Sequence, residues 1–347
     1  MEVRLTVRTR DPLTLAVTES SQVGEVRRAA ALLAEHLDFD ATRCGEVAIV
    51  LTELATNLVR HAKAGEIILQ SFGPIDRPGL EAIALDRGPG IANMADAMRD
   101  GYSTAGTPGT GMGAVTRLAT TFDIYSQKDT GTAMVVRFGS CEVPAAGGMP
   151  KCAIGGVCLP KRGEEACGDA WSSHALPDGR TVIVVADGLG HGLQAAEASR
   201  QAIRLFREQP DTGSVEMLEI MHAGMRSTRG AAIAIAELRP TEREIRFTGI
   251  GNVAGVVVGP GDTTRSMISH NGTVGAEVRR IQTFTYPWPA GSLLVMHSDG
   301  LATQWQIGKY PGLFNRHPSL IAGVLYRDFR RERDDVTVLV ASDGGRP

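Results

Sequence analysis

The sequence lacks long apolar runs. None approaches 18 residues, and the opening MEVRLTVRTRD has no apolar signal-peptide core. Lysine and arginine number 36 against 39 acidic residues, and a net charge of −3 provides no basic field for nucleic acid or an acidic membrane. We therefore expect a cytoplasmic protein with neither nucleic acid nor membrane as a partner.

Cysteine is also scarce. The five cysteines are odd in number and none has the C-x-x-C spacing of a zinc knuckle. We expect buried free thiols, with a metal site around Cys152–Cys167 as the alternative. The full set is Cys44, Cys141, Cys152, Cys158 and Cys167.

The length predicts two domains, because 347 residues exceed a typical single core. The stretch GSCEVPAAGGMPK, residues 139–151, is rich in Gly, Pro and Ala and lies between two strand-like runs. We therefore predict an N-terminal domain at 1–140, a linker at 141–151 and a C-terminal domain at 152–347.

The apolar periodicity predicts an α+β protein with two different layer arrangements. The first half is predicted to pack helices on a mixed or antiparallel sheet. Its strands are expected near 2–8, 13–18, 66–72, 80–86 and 132–138, and its helices near 21–37, across the Leu51–Ala62 stretch, at 91–99 (turns) and at 112–121. The second half is predicted to be a two-sheet sandwich flanked by helices. Its strands are expected at 180–187, 231–238, 244–250, 253–259, 292–299 and 335–342, and its helices at 191–208 and 213–227.

One predicted helix, LTELATNLVRHA, carries Glu53, Asn57 and His61 four residues apart. Positions i, i+4 and i+8 lie on one helix face, next to an apolar stripe. Such a polar ladder is usually a solvated face, so its meaning depends on the motifs that follow.

Two glycine-rich stretches follow this helix. In LDRGPGI, Asp86 ends an apolar strand and can accept a hydrogen bond from an exocyclic amine, while Gly88 and Gly90 allow a tight turn against a flat ring. In GTPGTGMGAV, Gly109, Gly111 and Gly113 come before a helix, whose N-terminal amides can hold phosphates.

In this order the three stretches resemble the N box and two glycine boxes of the GHKL ATPase and kinase superfamily, and most closely the RsbT-type switch kinases, over about residues 5–138. The resemblance implies ATP with Mg²⁺, which Asn57 would coordinate. It also implies that Asp86 reads adenine, that the glycines above contact the nucleotide and that Glu53 activates the attacking hydroxyl. His61 is expected either to pack or to contact phosphate.

Such kinases phosphorylate serine or threonine on STAS-domain proteins, and anti-sigma relatives bind a sigma factor. A kinase acting on a STAS-domain partner is therefore the first expectation for this half. The alternatives are a module that sequesters a sigma factor or other signalling protein, and a nucleotide sensor that lacks kinase activity.

The second half contains four acidic motifs, most of them at the start or end of a predicted strand. They are CGDAW with Asp169, VVADGLGHG with Asp187, VMHSDGLA with Asp299, and RDDVTVLV with Asp334 and Asp335. Carboxylates at strand ends can converge on hard cations, which prefer oxygen ligands. Each Asp-Gly alone is more often a turn.

Together these motifs resemble the PPM-type serine/threonine phosphatases, specifically the SpoIIE and RsbX branch, over about residues 152–342. The resemblance implies two Mn²⁺ or Mg²⁺ ions, bridged by Asp187, with the Gly188 carbonyl as a further ligand. Asp169, Asp299 and Asp334 would complete the site, and Asp335 is not expected to ligate directly.

Two details of this site stay open. His191 is expected either to contact phosphate or to cap a helix. No arginine matches the superfamily's phosphate-binding arginine, and Arg162 is too loosely placed for that role. The expectation for the whole chain is a kinase and its opposing phosphatase in one protein.

Overall fold

The computed structural model describes residues 12–62, 64–73, 77–91, 111–139 and 152–343. The chain divides into two compact units, of which the first joins Met1–Val143 to Tyr310–Leu320 and the second joins Pro144–Lys309 to Ile321–Pro347. The sequence predicts Tyr310–Leu320 as part of the C-terminal domain, whereas these residues pack with the first unit. The linker expected at 141–151 lies outside the described residues, and the domain limits proposed from the sequence stay a prediction.

The first unit is a five-stranded antiparallel sheet covered by helices on one face, as expected. Its strands pair in the order β1-β2-β3-β5-β4. The strands are β1 (Leu13–Val17), β2 (Gly65–Phe72), β3 (Gly79–Asp86), β4 (Thr121–Gln127) and β5 (Gly131–Phe138), and the helices are α1 (Ser20–His36), α2 (Ala41–His61) and α3 (Gly111–Leu118).

Capping and an apolar stripe define the long helix α2. The Asp40 side chain accepts from the Arg43 amide at 2.8 Å, which satisfies one of the free N–H groups at the helix start. The buried stripe packs against the helix-facing side of the sheet, including Leu80, Ala82 and Ala84 of β3. The stripe consists of Val47, Val50, Leu51, Leu54, Ala55 and Leu58.

A buried carboxylate anchors Tyr310–Leu320 to the first unit. Glu81 of β3 is 1% exposed and accepts from Gln70 at 2.7 Å, from Arg137 Nε at 2.5 Å and from Ser319 Oγ at 2.7 Å. Ser319 Oγ also accepts from Arg137 Nη2 at 3.0 Å. Burial alone would raise the pKa of Glu81, but the Arg137 guanidinium outweighs it and keeps that pKa below the usual value.

A second set of contacts holds the same segment. Asp123 of β4 accepts from the His317 amide at 2.7 Å and forms an ion pair with Arg316 at 3.1 Å. The first unit therefore satisfies polar groups of β3, β4 and β5 with residues that come 182 to 238 positions later in the sequence.

The second unit contains the expected pair of sheets with helices outside. One sheet has the order β13-β10-β9-β8-β7, with β16 also on β10, and the other has the order β12-β11-β17-β18-β6. The strands of the first sheet are β7 (Asp169–Ala175), β8 (Thr181–Gly188), β9 (Ala231–Arg239), β10 (Glu244–Ile250), β13 (Ser269–His270) and β16 (Phe284–Pro287). Those of the second are β6 (Ala153–Leu159), β11 (Ala254–Gly259), β12 (Thr263–Ser266), β17 (Leu293–His297) and β18 (Val336–Ser342).

Two apolar layers stabilise this unit. Helices α4 (Leu193–Glu208) and α5 (Ser214–Gly224) pack through Phe206 and Leu218 on one face of β8 and β9, against Val184 and Ile235. The opposite faces of these strands meet the second sheet, where Phe247 and Leu339 belong to the shared core. Alternating side chains on β8 and β9 thus fill both layers. A short hairpin, β14 (Gly272–Thr273) with β15 (Glu277–Val278), and helix α6 (Pro318–Phe329) complete the elements.

The structure corrects several element predictions. The helix expected at 112–121 ends at Leu118, and Thr121–Gln127 forms β4, which was not predicted. Strands β6 and β7 and helix α6 were also missed. The strand expected at 2–8 and the turns at 91–99 fall on residues that the structure does not describe, apart from Ile91.

The described cysteines Cys44, Cys152, Cys158 and Cys167 are free thiols, as expected, although only Cys158 is fully buried. Cys141 lies outside the described residues. Across the described ranges, no helix combines the length and apolarity that a membrane crossing requires.

Candidate functional site

The polar ladder on α2 lies beside the buried stripe. Glu53 and Asn57 are half-buried, whereas His61 is exposed in the last turn. Leu54, Ala55 and Leu58 of the same helix are buried in the core. The exposure of His61 favours a surface position over the packing alternative.

The loop after β3 brings Asp86 to the C-terminal end of α2. Asp86 is 8% exposed, and its Oδ1 accepts from the Gly88 amide at 2.6 Å and from the Thr132 amide at 3.2 Å. A Cβ on Gly88 would come within 2.6 Å of the His61 carbonyl oxygen. The helix end and the loop therefore touch, and only glycine fits between them.

The same loop is fixed at its far end. Gly90 has φ +73°, and a Cβ there would lie 2.4 Å from the Gln127 carbonyl oxygen. The Ile91 amide donates to Ser126 Oγ at 2.8 Å, and Ser126 shares a hydrogen bond of 2.9 Å with Thr132 Oγ1. Thr132 and Ser126 had not been singled out from the sequence.

The second glycine stretch is only partly described. Gly109 lies outside the described residues, while Gly111 begins α3 and Gly113 lies in its first turn. An open cavity of about 560 Å³ lies nearby, lined by Ile91, Tyr125, Ser126, Gln127, Lys128 and Pro311. Its lining includes none of Glu53, Asn57 and Asp86, so it is not the nucleotide position that the ladder predicts.

In the second unit, strand pairing places two of the predicted metal ligands opposite each other. Asp169 begins β7 and pairs directly with Asp187 near the end of β8. Asp169 is 4% exposed, and its Oδ2 accepts from Ser298 Oγ at 2.6 Å. Ser298 Oγ in turn accepts from the Thr337 amide at 2.9 Å, which connects Asp169 to the start of β18.

The remaining acidic residues lie beside neighbouring strands. Asp299 follows β17, and its Oδ2 accepts from Asn252 Nδ2 at 2.7 Å. Asp334 and Asp335 come just before β18. Asp335 is 2% exposed, and its Oδ1 accepts from the Lys161 amide at 2.8 Å, while its exclusion from the ligands stays a prediction.

Burial and mutual repulsion raise the pKa of Asp169, Asp187 and Asp334. Burial raises the pKa of Asp169 to about 7, although Ser298 opposes the shift. The pKa of Asp187 rises to about 9, first through burial and then through the charges of Asp169, Asp299 and Asp334. Burial and Asp299 also raise the pKa of Asp334. A divalent cation would relieve this repulsion, and an all-oxygen set suits Mg²⁺ or Mn²⁺.

The carboxylates nevertheless do not form a closed cage. Within the described ranges, no three acidic, histidine or cysteine side chains are arranged so that they could hold a metal ion together. The assignment of the carboxylates as ligands stays a prediction, supported by the donor chemistry.

The end of β8 has no room for a side chain at Gly188. A Cβ on Gly188 would lie 2.1 Å from the Ala195 carbonyl oxygen of α4. His191 is exposed, and its Nδ1 lies 2.8 Å from Glu164 Oε1. Helix α4 has Gly192 as its N-cap, so the helix-capping alternative for His191 is not supported.

Two family models match the chain. Residues 16–138 match the histidine kinase-like ATPase domain, and residues 177–342 match stage II sporulation protein E (SpoIIE). The first match contains Glu53, Asn57 and Asp86. The second contains Asp187, Asp299 and Asp334, whereas Asp169 lies before its first matched residue.

Two curated relatives come from Bacillus subtilis (strain 168). The serine/threonine-protein kinase RsbT is 34% identical over 100 residues, which are 29% of this chain and 75% of RsbT. The phosphoserine phosphatase RsbX is 27% identical over 143 residues, which are 41% of this chain and 71% of RsbX.

A solved structure described as the bacterial stressosome, "a modular system that has been adapted to control secondary messenger signaling", is also similar. It superposes with a TM-score of 0.51 at 25% identity. The match covers 55% of this chain and 99% of that one.

Proposed function

Since the chain belongs to the RsbT family of histidine kinase-like ATPase domains and carries a PPM-type serine/threonine phosphatase domain of the SpoIIE kind, we propose that it is a bifunctional switch protein. Its first half would phosphorylate serine or threonine on a STAS-domain partner, and its second half would remove phosphate from such a partner. The proposal places the protein in the cytoplasm, where RsbT-like and RsbX-like regulators would meet the partner.

The phosphatase half rests on one observation above all: Asp169 and Asp187 are paired across β7 and β8, with raised pKa values. Asp169, Asp187, Asp299, Asp334 and the Gly188 carbonyl would hold two Mg²⁺ or Mn²⁺ ions. When bound, these ions neutralise phosphoryl oxygens and make a water molecule more acidic. Ser298 would keep Asp169 oriented, and Asn252 would do the same for Asp299.

The kinase half rests on the contact between the Gly88 loop and the end of α2. This contact places Asp86 at the helix that carries Glu53 and Asn57. Asn57 would hold Mg²⁺ on the ATP phosphates, Asp86 would accept from adenine, and Glu53 would take the proton of the attacking hydroxyl. Gly88, Gly90, Gly109, Gly111 and Gly113 would line the nucleotide.

The phosphatase proposal is tested by metal dependence. Release of phosphate from a phosphoserine STAS-domain protein should require added Mn²⁺ or Mg²⁺ and stop in excess chelator, since the proposed donors are all oxygen atoms. Full activity in metal-free buffer would contradict it.

The kinase proposal is tested by transfer of the γ-phosphate from ATP to the same STAS-domain protein. Glu53→Ala should bind ATP normally but lose transfer, because its role lies in the transition state. If the wild-type chain binds ATP and a sigma factor without any transfer, the first half is a sequestering module. If it only changes the phosphatase rate, it is a nucleotide sensor.

A further inference from the structure

A phosphorylated substrate poses a charge problem at the candidate metal site. Four predicted ligands and Asp335 contribute negative charge, and a phosphoserine adds about two more negative charges at neutral pH. Two divalent ions carry fewer positive charges than these carboxylates carry negative ones, so they leave none to balance the phosphate. A cationic side chain on the substrate side would therefore favour binding, and no arginine was assigned to this role from the sequence.

The pairing register of β8 with β9 brings Arg229 to the loop that follows β8. Asp187 pairs with Ala232 and Gly188 with Ala231 across β8 and β9. The ladder continues beyond β8, since the Leu189 amide donates to the Gly230 carbonyl at 3.0 Å. Arg229 comes next, and its Nη1 lies 3.2 Å from the position that a Cβ on Gly190 would take.

The backbone under Arg229 is fixed while its side chain is exposed. Thr228 Oγ1 donates to the Met225 carbonyl at 2.8 Å and accepts from the Gly230 amide at 3.0 Å. Gly230 has φ +80°, and a Cβ there would lie 2.6 Å from the Val274 carbonyl oxygen. The guanidinium is thus presented to solvent from a rigid turn.

Other cations near the loop have different positions. His191 Nδ1 already lies 2.8 Å from Glu164 Oε1. Lys161 belongs to the segment that binds Asp335 through its amide. In the part of the chain that the structure describes, no acidic side chain pairs with Arg229, so its charge is available to a ligand.

We infer that Arg229 binds the phosphoryl group of the phosphatase substrate, an inference that rests on the phosphatase activity proposed above. The flat guanidinium can donate two parallel hydrogen bonds to phosphate oxygens, which a point charge cannot do. Packed against Gly190, it would hold the phosphate over the loop that carries the Gly188 carbonyl.

The test compares three full-length variants with Mn²⁺ present, using p-nitrophenyl phosphate as substrate and inorganic phosphate as inhibitor. Arg229→Ala should raise KM and the inhibition constant of phosphate by about 10- to 100-fold, the usual size of a charged hydrogen-bond pair. Arg229→Lys should recover part of this loss. Arg226→Ala, an exposed arginine of the same turn, should match the wild type.

A second measurement separates this inference from the proposed function. Calorimetry of inorganic phosphate on the Mn²⁺-loaded chain should show weaker binding in Arg229→Ala, with unchanged Mn²⁺ affinity. If wild type lacks phosphatase activity, the proposed function fails and the calorimetry alone decides the role of Arg229. Equal phosphate binding by wild type and Arg229→Ala, or a loss of Mn²⁺ affinity in that variant, would overturn the inference.

Discussion

Single residues on α2 have separable roles if the first half binds nucleotide. Asn57 is half-buried one turn before the helix end that the Gly88 loop contacts, so Asn57→Ala should weaken Mg²⁺–ATP binding by on the order of 2 kcal/mol, or about 30-fold. Binding of ATP without magnesium should change little. Calorimetry with and without Mg²⁺ measures both values.

Thr56→Ala is the matched control for Asn57→Ala. Its hydroxyl is bonded within the helix, to the Thr52 carbonyl at 2.7 Å, and has no proposed contact with magnesium. If both variants weaken Mg²⁺–ATP binding equally, the effect belongs to the helix and the assignment of Asn57 is wrong.

His317 predicts how the first unit responds to acid. Burial, then the charge of Arg137, lowers the pKa of His317 to about 4, from about 6.5 in an unfolded chain. As pH falls between these values, the unfolded chain takes up a proton that the folded unit does not. This linkage should cost at most about 3 kcal/mol of stability by pH 4.

The measurement is urea unfolding at pH 7 and pH 5, followed by far-UV circular dichroism. His317→Gln should remove most of the loss over this range. Glu81 contributes at lower pH, because its pKa lies below the usual value and its stabilisation is lost only as that group protonates. A wild type equally stable at both pH values would contradict the predicted His317 shift.

At the scale of elements, the junction of β8 and α4 leaves no space for a methyl group. Gly188→Ala would place a Cβ 2.1 Å from the Ala195 carbonyl oxygen, so the strand end and the helix must separate. We expect this variant to lose about 1–3 kcal/mol in free energy of unfolding. We also expect it to lose phosphatase activity. A Cβ on Gly213 would meet nothing within 4 Å, so Gly213→Ala should leave both the stability and the phosphatase activity unchanged.

Tryptophan fluorescence reports this change selectively. All three tryptophans, Trp171, Trp288 and Trp305, belong to the second unit, and Trp288 is fully buried. A thermal transition of Gly188→Ala that matches wild type would show that the loop relaxes without cost.

The elements that the sequence predicted are those with a regular apolar pattern. Strands β8, β9 and β18 are buried on both faces and read as continuous apolar runs, and α2 has a clear helical stripe. Strand β4 was missed because Asp123, Ser126 and Gln127 interrupt its pattern. Its pairing with β5 and the capture of His317 by Asp123 are tertiary effects.

The residues of the candidate sites divide in the same way, into those with a local sequence motif and those that depend on tertiary contacts. Asp169, Asp187, Asp299 and Asp334 could be found because they sit in recognisable strand-end motifs. Ser298 and Asn252 carry no such motif, and their roles depend on hydrogen bonds between distant strands. Arg229 also has no sequence signal. Only the register of β8 and β9 places it at Gly190.

At the scale of the whole molecule, the first unit depends on a distant part of the chain. Ser319 is fully buried and joins Glu81 to Arg137. Ser319→Ala should cost about 1–3 kcal/mol, because the buried Glu81 and the partly buried Arg137 both lose a partner. Hydrogen exchange of peptides from β3 and β5 should speed up accordingly, while Asn315→Ala, an exposed neighbour, should have no effect.

The same feature limits how the halves can be separated. A fragment of residues 1–140 has a full apolar core, so we expect it to fold, but with lower stability than in the full chain. A synthetic peptide of residues 310–320 should restore part of the difference. Equal thermal stability with and without the peptide would show that these contacts contribute nothing.

The position of Tyr310–Leu320 also determines when the first unit can be completed during synthesis. Chains usually finish their N-terminal domain first, at about 5–20 residues per second. Here the ribosome must add residues 144–320, on the order of tens of seconds more, before Glu81 can meet Ser319. A nascent chain arrested before that point would lack these contacts, so the first unit should reach its full stability only after most of the second unit has been made.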